Sequence, residues 1–244
     1  MKNYAVLLAP EFRLQATLRY APGLVEKPVA LLEMQGAKPR VCELNSPAAA
    51  YQVQRGMTPT QALARCPELR LLSGNAGHER SAQDALLQAA ESLSPFLEST
   101  QPGAVTAELP PECAFSESDL IAKLVLPLQT LGLEIRVGLA STPELALLAA
   151  RFADPVRIVQ NATAFLAPLP LAALQPGEEM ALVLESWGIR TVGQFVALPS
   201  AQVWERLGPD AVACWEQATG GRARPLKLVK PQEFFAEQAD LEHP

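Results

Sequence analysis

The sequence is poor in the residues that carry much enzyme chemistry. Histidine occurs only at His78 and His243, and the four cysteines, Cys42, Cys66, Cys113 and Cys214, include no C-x-x-C pair. That spacing argues against a structural zinc site or a disulfide framework and leaves each cysteine as a small buried hydrophobe. A glycine-rich phosphate loop, a G-x-S-x-G elbow and a metal-ligand cluster are all missing, which removes the usual sequence grounds for a small-molecule enzyme. No stretch approaches roughly eighteen uncharged apolar residues. The apolar run in MKNYAVLLAP is five residues long before its proline, so a signal peptide is not expected and the expected compartment is the cytoplasm. A cationic excess is lacking too: 20 Lys and Arg stand against 26 Asp and Glu, a formal −6. The chain as a whole does not attract a polyanion at long range, and any nucleic-acid contact has to come from a local basic patch.

What is present is apolar mass, 49% of 244 residues, enough to fill a core in one large domain or two to three small ones. Val6 to Leu8 begin as a short apolar strand. Residues 27–33 and 40–45 form two more around the turn-forming MQGAKP, which predicts a hairpin. In GMTPTQALARCP, Thr58 is an N-cap, Pro59 takes the first helical position and Gln61 stands three after the cap; Pro67 ends that helix. Over residues 79–93, Ala82, Leu86, Ala89 and Leu93 share one helical face. Downstream the pattern predicts a strand at 103–109, a helix in SDLIAKLVLPLQTLG interrupted by Pro127, and a strand in LEIRVGLA. A helix capped by Ser141 or Thr142 and a strand at 157–160 follow. This alternation predicts a sheet with helices packed on it. From about Phe165 the texture changes to an all-helical pattern punctuated by PGEE, WGIRT, LPS, LGPD and TGGR. RARPLKLVKPQEFFAEQADLEHP then lacks a helical period and has the character of a linker.

Five blocks, LLAPEFRLQATLRYAPGLVEKPVALLE, GMTPTQALARCPELRLL, LSPFLESTQPGAVTAEL, EIRVGLASTPELALLAARFADP and LESWGIRTVGQFVALP, resemble in order and spacing the Y-family translesion DNA polymerases. Within that family the match is best to the ImuB branch, bacterial mutagenesis-cassette proteins that look like such polymerases and are regarded as catalytically inactive. The resemblance implies an α+β fold: a palm with an antiparallel sheet and helices (residues 1–12 and 76–164), small fingers (13–75) and an all-helical thumb (165–221). Residues 222–244 would be a linker toward a little-finger domain absent from this chain.

Carried over position by position, the family's catalytic aspartates fall on Leu8 and Pro10, and its second carboxylate pair on Gly103 and Ala104, with an accessory acid at Glu108. Of the aromatic pair only Phe12 survives; the sugar-excluding position is Arg13. The Tyr-x-x-Arg triphosphate grip falls on Ser46 and Ala49, and the later lysines on Pro143 and Leu147. Hard Mg²⁺ needs carboxylate oxygens, so neither a catalytic site, a nucleotide site nor a cofactor is expected. Glu11 and Glu108 are expected to be solvated surface charges. In the thumb, acidic residues follow Gly177 (Glu178, Glu179) and Gly208 (LGPDA), which suits helix-capping turns better than phosphate binding. The better DNA-binding candidates are Arg222, Arg224, Lys227 and Lys230, with no acid among them; four phosphate contacts would give a log-log salt slope near about −4, while an ordinary solvated linker is the alternative.

The resemblance implies a non-catalytic adaptor in DNA-damage-induced mutagenesis. Its implied partners are an error-prone replicative-type DNA polymerase, a recombinase-A-related accessory protein, the sliding clamp (through a region missing here) and, weakly, primer-template DNA, with no membrane. An active translesion polymerase with displaced carboxylates and a protein-interaction module without DNA contact are the competing readings.

Overall fold

A computed structural model gives the fold and describes residues 3–110, 115–221 and 224–229. Strand β1 (Asn3–Leu8) is buried on both faces, Ala5 and Leu7 toward one core, Tyr4 and Val6 toward another. Pro10 and Glu11 turn the chain into helix α1 (Phe12–Leu18). The predicted hairpin follows as β2 (Val29–Gln35) and β3 (Lys38–Leu44), turning at Gly36 with φ 61°. Helices α2 (Ser46–Ala50) and α3 (Pro59–Arg65) come next; α3 carries the predicted capping box, Thr58 and Gln61 each accepting from the other's backbone N–H.

β4 (Arg70–Ser73) is short, carries no clear alternation and was not legible in the sequence; it exists because β2 offers it a parallel edge. After it come α4 (Ala76–Glu91), β5 (Leu97–Gln101), β6 (Ala104–Leu109) and α5 (Glu117–Leu120). Pro127 does not interrupt the following helix as expected. A π-helical turn at Ile121–Val125 leads into α6 (Leu126–Thr130), and placing the proline in the first turn of α6 avoids the backbone donor it lacks. Then come β7 (Arg136–Ala140), α7 (Pro143–Arg151) capped by Thr142, and β8 (Val156–Ile158). The C-terminal part is helical: α8 (Ala162–Leu166), a 3₁₀ turn at Leu171–Leu174, α9 (Glu178–Ser186), α10 (Val192–Val196) and α11 (Ser200–Ala218), which bends at Gly208 and Pro209.

The larger sheet has the order β5-β6-β1-β7-β8. Four of its strands pair antiparallel, as expected, and the short β8 adds a parallel edge beside β7. The reason is topological, since α7 crosses from the end of β7 back to the start of β8, the connection a parallel pair requires. One sheet face packs on α1, α4 and the α5–α6 run, the other on α7 and the C-terminal helices. Contact with α7 is close because of Gly138, where a Cβ would lie 2.2 Å from the Ala146 carbonyl oxygen and 2.3 Å from the Ala150 nitrogen. A second, three-stranded sheet, β3-β2-β4, has its own small core around Val41, Ala48, Val53 and Ala62.

Candidate functional site

The two central strands bring the four candidate catalytic positions to one end of the sheet. Leu8, last in β1, is the cross-strand partner of Ala104, first in β6, and the Ala9 N–H donates to the Gly103 carbonyl at 2.8 Å. Pro10 follows directly. Leu8 is half-buried and Ala104 wholly buried, and neither these two nor Pro10 and Gly103 presents a side-chain oxygen that a hard divalent cation would take. Gly103 has φ +77°, and a Cβ there would lie 2.5 Å from the Cβ of Phe12. Phe12, 5% exposed, belongs to the core beneath. A side chain at position 103 would therefore run into the Phe12 ring.

The nearest carboxylates serve the fold. Glu11, in the left-handed region at φ 47°, pairs with the Arg55 guanidinium through one oxygen and accepts the Leu44 N–H at 3.2 Å through the other. This corrects the expectation of a solvated charge: Glu11 ties the start of α1 to β3 and the loop before α3. Glu43 accepts the Leu14 N–H at 2.8 Å, so the amino end of α1 is capped from β3; burial pushes its carboxyl above the usual range, and Glu11 adds repulsion. Glu108 lies opposite Tyr4 at the far end of β6, about 13 Å along the strand from Ala104. Among the described residues, no three His, Cys, Asp or Glu side chains come together as a metal site.

The other candidate positions scatter. Ser46 begins α2 and Ala49 lies on it, exposed; Pro143 is buried at the start of α7, and Leu147 packs partly buried against the core shared by α7 and the C-terminal helices. Arg13 bridges two elements, donating to Glu33 at 2.9 Å and Glu79 at 3.2 Å.

In the linker, Arg222 and Lys230 lie outside the described residues, and Lys227 is exposed. Arg224 turns inward, against the expected phosphate contact. Its Nη1 and Nη2 donate to the two oxygens of Glu98, each at 2.8 Å, and its Nε to Glu144, also at 2.8 Å. Glu98 also accepts the Lys227 N–H at 2.6 Å, and the Val229 N–H donates to the Leu97 carbonyl at 2.8 Å, laying the segment along the edge of β5. Hydrogen bonds from Arg224 hold the Glu98 carboxyl below its ordinary value. A phosphate at Arg224 would have to displace two carboxylates. No local pattern signals this pairing, because the acids lie 126 and 80 residues away.

A family model described as impB/mucB/samB matches residues 8–151. The protein ImuB of Caulobacter vibrioides NA1000 is 29% identical over 180 residues, covering 72% of this chain and 39% of that protein. DNA polymerase IV of Dehalococcoides mccartyi CBDB1 is 27% identical over 236 residues, covering 91% and 59%. The chain thus spans about two to three fifths of the length of these relatives. The crystal structure of DinB from Sulfolobus solfataricus superposes with a TM-score of 0.78 over 93% of this chain and 69% of that one, at 16% identity. An insertion ternary complex of Dbh DNA polymerase gives 0.77 at 15% identity, over 92% and 69%. At such identities these two structures establish the α+β fold.

Proposed function

Since the chain belongs to the impB/mucB/samB family and carries its Y-family polymerase domain, we propose that it is a non-catalytic member, a polymerase-shaped adaptor in DNA-damage-induced mutagenesis. The observation that carries this reading is the Leu8–Ala104 pair, with Gly103 lying against Phe12, at the end of the central strands where the family keeps its metal-binding carboxylates. Transfer of a nucleotidyl group needs two divalent ions to neutralise the triphosphate and stabilise the leaving oxygen. If those ions supply only ~4 kcal/mol, their loss slows the reaction about a thousandfold. The triphosphate grip is missing as well: Ser46, Ala49, Pro143 and Leu147 carry no charge. At the amino end of α1 the half-buried Glu43 already accepts the Leu14 N–H, which places a negative charge there.

On this reading residues 1–12 and 76–164 act as palm, 13–75 as fingers and 165–221 as thumb. The similarity to ImuB supports a place beside an error-prone polymerase, a recombinase-A-related protein and the sliding clamp. Primer extension with Mg²⁺ or Mn²⁺ and all four nucleotides is the test. The expected result is no template-dependent incorporation.

A second reading, an active polymerase with displaced carboxylates, draws on the similarity to DNA polymerase IV over 91% of the chain. It would have to recruit Glu11 or Glu108. Template-dependent synthesis that Glu108→Ala abolishes would establish it and overturn the first.

A further inference from the structure

We propose that the pocket between α7, the 3₁₀ turn at Leu171–Leu174, α9 and α11 receives an arginine or lysine side chain from a basic peptide segment of a protein partner. The inference gives a chemistry to one partner of the adaptor described above and rests on that reading. The pocket is open, about 510 Å³ in volume, and its lining is divided by chemistry. Leu174, Pro176 and Met180 supply an apolar wall, Leu174 being buried and Met180 half-buried. Glu144 of α7 and Asp210 and Glu216 of α11 contribute carboxylates, and Arg224 is the only cation among the described residues that line it.

Arg224 does not balance that charge. Its guanidinium is shared between Glu144 and Glu98, so one positive charge already answers two negative ones. Glu144 accepts from the Arg224 Nε through Oε1, while its Oε2, buried on the side of Gly221, accepts no hydrogen bond among the described residues. A carboxylate oxygen shut off from water and left without a donor is costly, and an incoming ammonium or guanidinium group offsets that cost. Asp210 is exposed and forms no ion pair among the described residues. Long cationic side chains match the divided lining, since their methylene stems lie on apolar surface while the charged head stays polar. Other ligands match it poorly. A phosphate would meet carboxylates here and, beside Gly177, the exposed Glu178 and Glu179. A bare divalent cation would find no three acids close enough to hold it among the described residues. The formal charge of −6 draws a basic partner toward the whole chain, and the pocket gives one of its side chains a seat.

The test is fluorescence anisotropy of a labelled hexapeptide of alternating leucine and arginine, titrated with the whole chain at several salt concentrations. Wild type is expected to bind it, more weakly as salt rises. Asp210→Asn removes one carboxylate and is expected to weaken binding about threefold at low salt. Ala213→Lys sets a cation on the exposed lip of the pocket without removing a polar contact, and is expected to weaken binding at least about tenfold. Matched circular dichroism spectra and melting curves verify that both variants fold. No binding by wild type, unchanged affinity in either variant, equal binding of a leucine-glutamate peptide, or displacement by spermidine as effective as by unlabelled peptide would each overturn the proposal. Primer extension answers separately: absent peptide binding leaves the non-catalytic reading in place, whereas synthesis defeats that reading and not this pocket.

Discussion

Glu98 is an acid on the edge strand β5, its side chain 7% exposed, and it folds correctly only because Arg224 reaches it from the far end of the chain. Truncating Arg224 to Ala would strand that carboxylate, at a cost of about 2–3 kcal/mol in a urea melt, and free residues 224–229 from β5 for faster amide exchange. The pH dependence has a definite sign. Because Glu98 has a folded-state pKa below its ordinary 4.5, its contribution is complete above pH 4.5 and fades as pH falls through the folded value. The wild type should therefore lose more stability on acidification than Glu98→Gln. Glu43 has the opposite sign: its folded pKa is raised, so a penalty on folding sets in as the pH rises above the ordinary 4.5 and is complete above the folded value. Glu43→Gln keeps an acceptor for the Leu14 N–H and removes the half-buried carboxyl, and its melting temperature at pH 7 is expected to rise. At Gly103 a single carboxylate cannot simply be put back. Gly103→Asp combines a positive φ with overlap on Phe12 and should cost about 3 kcal/mol, read by chemical denaturation.

At the scale of elements, α7 depends on one missing methyl group. With Ala146 and Ala150 backbone atoms 2.2–2.3 Å from a Cβ at position 138, Gly138→Ala must push the helix off the sheet. Since α7 also joins the antiparallel part of the sheet to β8, the expected loss is at least about 3 kcal/mol, with aggregation on expression as the alternative readout. Local capping is a smaller and more independent term. Thr58→Ala removes one half of the box at the start of α3 and should lower stability by about 1 kcal/mol, without touching the other elements.

At the scale of the whole molecule, the described residues form two sheets with separate cores, and the central strands of the larger one are covered on both faces. Burial of this kind preserves a fold under substitution at the strand ends, since Leu8 and Ala104 add apolar contacts where acids would cost desolvation. Loss of catalysis and retention of shape are then compatible outcomes. A polymerase-like shape persists, and primer extension distinguishes shape from chemistry.

By itself the sequence determined what is local or periodic. The hairpin at Gly36, the capping box at Thr58 and Gln61, the helix of α7 and the all-helical C-terminal pattern follow from turn chemistry, caps and apolar spacing within a few residues. It also carried the resemblance, and with it the positions Leu8, Pro10, Gly103 and Ala104. Tertiary structure alone decided the rest. β4 is a strand because β2 pairs with it, β8 is parallel because α7 crosses over, and Glu11 is a tie because Arg55 is there. Arg224 faces inward because Glu98 and Glu144 wait beneath it. Each of these joins residues distant along the chain, and charge pairing over such separations leaves no periodic trace in a sequence.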